Sequence, residues 1–100
     1  MGIYRFESDG KMLKLDTATA TLLLSTRWSA GRDQTRWDEI YKTPHGRYVC
    51  LSRTLWQGEH DAVGGISEAE VLHELALAED NQRTREGDAM LEASDPCEDA

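Results

Sequence analysis

The chain contains no apolar run approaching the roughly 18 residues that a membrane-crossing helix needs; its longest unbroken series of bulky aliphatic residues is Leu22, Leu23 and Leu24. A spanning helix is therefore excluded. Residues 1–10 lack the basic end, apolar stretch and small-residue cleavage site of a secretory signal, so the expected location is the cytoplasm. Cysteine is scarce as well: Cys50 and Cys97 are too few for the disulfide framework of a small secreted domain. Metal-ligand spacing is missing. His45, His60 and His73 are scattered, and His73-Glu74 has no second histidine four residues on, as a zinc-protease helix requires. Gly64-Gly65 precedes a helix without the further glycines and lysine of a phosphate-binding loop. His60-Asp61 has the composition of an acid–base pair, yet no serine or cysteine nucleophile stands in a recognisable motif with it. These gaps point to a chain that is not an enzyme and takes no metal or cofactor.

What the chain has in quantity is charge, unevenly placed. Residues 1–26 carry three basic and three acidic side chains, 27–53 carry six and three, and 54–100 carry two and thirteen, for a net charge of −8 over 100 residues. Such polarisation favours charge-steered association, while the acidic total works against nucleic-acid phosphate. With 39% hydrophobic residues the composition is globular, and this length supports one core.

The pattern predicts an α+β domain over 1–80: a small antiparallel sheet of about four strands in two hairpins, packed by one C-terminal helix. Ile3-Tyr4-Arg5-Phe6-Glu7 and Lys11-Met12-Leu13-Lys14-Leu15 alternate apolar and polar residues around Asp9-Gly10, a hairpin signature. Residues 21–28 fit a strand, with Leu22, Leu24 and Trp28 on one face, while Ala18 to Leu24 also fits the start of a helix. Residues 29–38 read as a loop. A second hairpin pairs 39–42 with 47–56 around Thr43-Pro44-His45-Gly46, and 57–65 reads as a mobile glycine-containing loop. Ser67 with Glu70, preceded by Ile66 and followed by Val71, is a capping box with its hydrophobic staple. Val71, Leu72, Leu75 and Ala78 supply that helix's apolar stripe. Residues 81–100, broken by Gly87 and Pro96, read as a flexible acidic tail in which 88–93 can form a short helix on a partner.

Two surfaces stand out. Carboxylates of Glu68, Glu70, Glu74 and Glu79 are candidates for contacting a basic partner, with Trp37, in the charged loop, as an exposed apolar anchor. Alternatively, Arg27, Arg32, Arg36, Arg47 and Arg53, interleaved with aromatic residues, are candidates for nucleic-acid binding, with the acidic tail as an internal competitor. The bland alternative is that Trp28 and Trp56 fill the core and the arginines cover their edges. Homodimerisation through an exposed strand edge is a further possibility.

Leu15-Asp16-Thr17-x-x-Ala20, then Glu39-Ile40-Tyr41-Lys42-Thr43-Pro44-x-Gly46-x-Tyr48, then Ile66-Ser67-Glu68-Ala69-Glu70 resembles a family of small, functionally uncharacterised bacterial proteins found in phage and other mobile elements. The likeness covers about residues 12–79 and departs from the family pattern at Leu15 and Val49. It implies a mobile-element protein, of which an inhibitor of a host defence complex, anti-CRISPR-like, is one kind, and assigns no catalytic residue. Its partner would be a host protein or ribonucleoprotein complex with a basic surface.

Overall fold

Alternation over the first sixteen residues closes as a hairpin of β1 (Ile3–Ser8) and β2 (Lys11–Asp16) in the computed structural model, which describes residues 2–28, 36–55, 58, 60–95 and 97. Asp9 and Gly10 take positive φ values of 52° and 75°, the geometry of a two-residue turn that matches strand twist. Four further strands form a second, fully antiparallel sheet in chain order: β3 (Thr21–Ser25), β4 (Arg36–Lys42), β5 (Tyr48–Thr54) and β6 (Ala62–Gly65). Two helices follow, α1 (Glu68–Leu77) and α2 (Arg85–Ala93), joined by a 3-10 turn at Asp80–Gln82.

The α+β class and the antiparallel hairpins agree with the sequence pattern, whereas the inventory is larger. Residues 62–65, expected in a mobile loop, pair as β6 with Val49 to Ser52. Gly64 and Gly65 hid this strand, because a strand built partly of glycine shows no side-chain alternation. Trp37 and Asp38, expected in a loop, belong to β4. The ambiguous segment resolves as β3 followed by a 3-10 turn at Thr26–Trp28.

Leu22 and Leu24 do not share a face. A bulge between them leaves Leu22 opposite Tyr41 and Leu24 opposite Ile40, so two residues of β3 advance against one of β4. Leu22 consequently joins the apolar cluster beneath the hairpin, while Leu23 and Leu24 join the cluster beneath the helices. The four-stranded sheet is thus packed on both faces. Phe6 and Leu15 of the hairpin meet Tyr41, Val49 and Leu51 on one side; Val71 and Leu75 of α1 meet Leu23, Leu24 and Ile40 on the other.

Packing by a single helix followed by a flexible tail is also corrected, since α2 lies inside the region read as tail. Thr84 caps α2 by accepting the Gly87 N–H at 3.2 Å, and its hydroxyl donates to the Leu22 carbonyl at 2.6 Å. Gly87, expected as a breaker, is what allows the approach: a Cβ there would sit 2.1 Å from the Leu23 carbonyl oxygen. The missing side chain admits backbone to backbone. Arg83 completes the joint. Its guanidinium donates to the Leu75 and Ala78 carbonyls at 3.1 and 2.9 Å, capping the end of α1, and pairs with Asp80 and, at 2.7 Å, with Asp88.

Candidate functional site

Helix α1 starts where the sequence indicated. Ser67 accepts the Glu70 N–H at 3.2 Å and donates its hydroxyl to the Glu70 carboxylate at 3.0 Å. Val71 and Leu75 are fully buried, which fixes the rotation of the helix and turns the opposite side to water. Glu68, Glu70, Glu74 and Glu79 are all exposed. Glu70 and Glu74 stand one turn apart on one face; Glu68 lies in the first turn and Glu79 beyond the helix end, so the four form a band along the helix. Like charges at i and i+4 cost a few tenths of a kcal/mol, and no cation among the described residues forms a salt bridge with any of the four. Of the two basic residues after Arg53, Arg83 is spent internally, and α2 adds Glu86 and Glu92 to the exposed acidic layer.

Trp37 is not an exposed anchor: it lies in β4 with 5% of its surface accessible. An apolar residue does accompany the carboxylates. Leu77, 70% exposed, falls at i+7 from Glu70 and i+3 from Glu74, on the same outward face. The sequence carried this signal at positions 70, 74 and 77, masked by the stronger stripe of Val71, Leu72, Leu75 and Ala78. Glu86 and Glu92 fall in the region read as a flexible tail, where only 88–93 was expected to form a helix, and then on a partner.

The arginine set does not form one surface. Arg27 and Arg53 lie over the Trp37 ring, with 4.6 and 5.8 Å from guanidinium carbon to ring centroid. Arg36 opens the same strand, β4. Arg47 sits before β5, six residues from Arg53 and so roughly 20 Å away along an extended strand. Arg32 and Trp56 lie outside the described residues, as does the Trp28 side chain.

Arg53 is instead part of a polar cluster between sheet and hairpin. Glu39, 8% exposed, accepts the Trp37 indole N–H and the Tyr41 hydroxyl, each at 2.9 Å, and Arg53 lies 3.6 Å from it. The other side of Arg53 faces Asp61 at 3.7 Å, whose carboxylate also accepts the Tyr4 hydroxyl at 3.3 Å and the Thr54 N–H at 3.0 Å. Strand periodicity explains part of it, because Trp37, Glu39 and Tyr41 alternate onto one face of β4. Burial first, then the bond to Glu39, raises the Tyr41 hydroxyl well above its ordinary value; burial likewise raises Tyr4. Both phenols stay protonated near neutral pH and serve as donors that hold the carboxylates in place. Of the His60-Asp61 pair, Asp61 is occupied by these donors, while His60 is exposed and lines a depression with Trp37 and Arg53.

His45 is exposed in the β4–β5 turn and His73 on α1. Among the described residues no three His, Cys, Asp or Glu side chains converge as a metal-binding group, and no helix is long and apolar enough to cross a membrane. Cys50 is half-buried, its thiol pushed up by burial, and Cys97 is exposed; both are free. No family model, curated protein or solved structure matches the chain.

Proposed function

We propose that this chain is a small acidic protein-binding module, carried by a phage or other mobile element, that inhibits a host defence complex in the anti-CRISPR manner. It acts in the cytoplasm by occupying a basic functional surface of a host protein or ribonucleoprotein. The observation that carries the reading is the band of exposed carboxylates along and just beyond α1, none in a salt bridge among the described residues, set around the exposed Leu77 and continued by Glu86 and Glu92. Charge complementarity of this kind speeds encounter and selects a cationic partner, and a central apolar residue supplies desolvated contact area. The phage and inhibitor elements rest on the sequence resemblance. The Arg/Trp alternative is weaker, because Arg53 is held by Glu39 and Asp61 and the aromatic platform at Trp37 is buried.

The test is capture from bacterial host lysate at moderate salt. Wild-type protein should retain a partner that the E68K/E70K/E74K/E79K variant loses, with Leu77→Ser giving a smaller loss. Undiminished capture by the fourfold variant would contradict the reading.

A further inference from the structure

We propose that the free edge of β2 is a strand-addition site for an extended peptide that alternates apolar and acidic side chains. The backbone comes first. Ser8 and Lys11 flank the Asp9-Gly10 turn, and a two-residue turn of this hand is closed by a pair that exchanges both backbone hydrogen bonds. Alternation from that pair makes Phe6 with Leu13 and Tyr4 with Leu15 the bonded pairs, and the 3.0 Å bond from the Thr17 N–H to the Gly2 carbonyl continues the same parity. The peptide groups of Met12 and Lys14 therefore point away from β1. No strand lies on that side, so among the described residues these groups have no partner.

Other edges are closed or poor templates. Arg83 bridges to Leu24 and Thr84 bonds to β3, covering that edge; β6 is four residues long and half glycine; and β1 lies against β6, where a Cβ on Gly65 would be 3.6 Å from the Ser8 hydroxyl.

Beside β2 runs a groove of about 510 Å³, with Leu13, Ala20 and Val49 among its apolar lining and the exposed cations Arg5, Lys14 and Arg47 around them. Asp16, the one carboxylate among its lining residues, already accepts the Ala18 N–H at 2.9 Å. Arg5 and Lys14 are directly opposed across the hairpin, an arrangement of like charges that is unfavourable in an isolated sheet. A strand added to β2 would place alternate side chains over Leu13 and Ala20 and the others beside Lys14, with Arg5 across from it on β1. Apolar residues suit the first set and carboxylates the second, which also relieves the opposed cations. A second copy of β2 fits worse, because pairing two such edges would gather Lys11 and Lys14 of both copies.

The probe is a capped seven-residue peptide alternating valine and glutamate, titrated into ¹⁵N-labelled full-length protein. Saturable shifts should centre on the Met12 and Lys14 amides, whose hydrogen exchange slows at least tenfold at saturation. The same peptide with lysine in place of glutamate should bind at least tenfold more weakly, as should the glutamate peptide to the R5E/K14E variant. Absence of binding, equal binding of the lysine peptide, or shifts confined to α1 would overturn the proposal. Edge-to-edge dimerisation that the glutamate peptide does not displace would overturn it too.

Discussion

The central sheet is joined to its two covering layers by different chemistry. On the hairpin side, apolar contacts of Phe6 and Leu15 are supplemented by a side-chain network in which Arg53, Glu39 and Asp61 satisfy one another and four further donors. On the helix side, Val71 and Leu75 supply the burial, and polar fixation comes from Thr84 and Arg83 acting on backbone carbonyls. The contrast shows where charge is left over. Glu39, Asp61 and Arg53 are consumed internally beneath the hairpin, leaving cations at its outer edge; on the helices one arginine is consumed and the carboxylates face water.

Perturbing the helix side at its centre should have the largest effect. Leu75 is fully buried, so Leu75→Ala should lower unfolding free energy by about 2–5 kcal/mol in urea titration. Hydrogen exchange should then rise in α1 and α2 before the β1–β2 hairpin; the reverse order would mean that the two layers are not separable. Gly87→Ala forces a Cβ against the Leu23 carbonyl and should cost about 1–3 kcal/mol, with loss of protection at the Thr84 amide that bonds to β3.

On the hairpin side, Glu39→Ala strands the Trp37 indole N–H and the Tyr41 hydroxyl and should cost about 1–3 kcal/mol, visible as altered tryptophan emission and a lower urea midpoint. The smallest expected effect is on the alkaline limb. Tyr41 in the folded state holds its proton above the ordinary value of 10.0, so its stabilising contribution is complete below about pH 10 and is lost as pH rises from there toward the raised folded value. Tyr41→Phe should flatten the decline in thermal midpoint above pH 10, while an unchanged slope would place the alkaline sensitivity elsewhere.

Local chemistry in the sequence sufficed for the first hairpin, the Pro44-Gly46 turn and the Ser67 cap, because each is decided by residues within a few positions of one another. The burial of Val71 and Leu75 followed from spacing alone. Long-range geometry decided the rest. Gly87 reads as a breaker until Leu23 is known to lie against it, and Asp61 reads as solvated loop until Tyr4 and Arg53 are brought to it from other strands. Trp37 reads as part of a loop because its neighbours are charged, although Trp37-x-Glu39-x-Tyr41 has the period of a strand. The exposed glutamates of α1 were legible, whereas Leu77 among them needed the rotation of the helix to be fixed.

On the proposed function, the carboxylate layer of the helices, not the pair of arginines at Trp37, receives the partner. Adding the captured partner to ¹⁵N-labelled protein and following amide line broadening tests this directly. Broadening should centre on residues 68–79 and on the outward side of α2, with Arg27, Trp37 and Arg53 unaffected. Broadening centred on those three residues, with α1 unchanged, would contradict it.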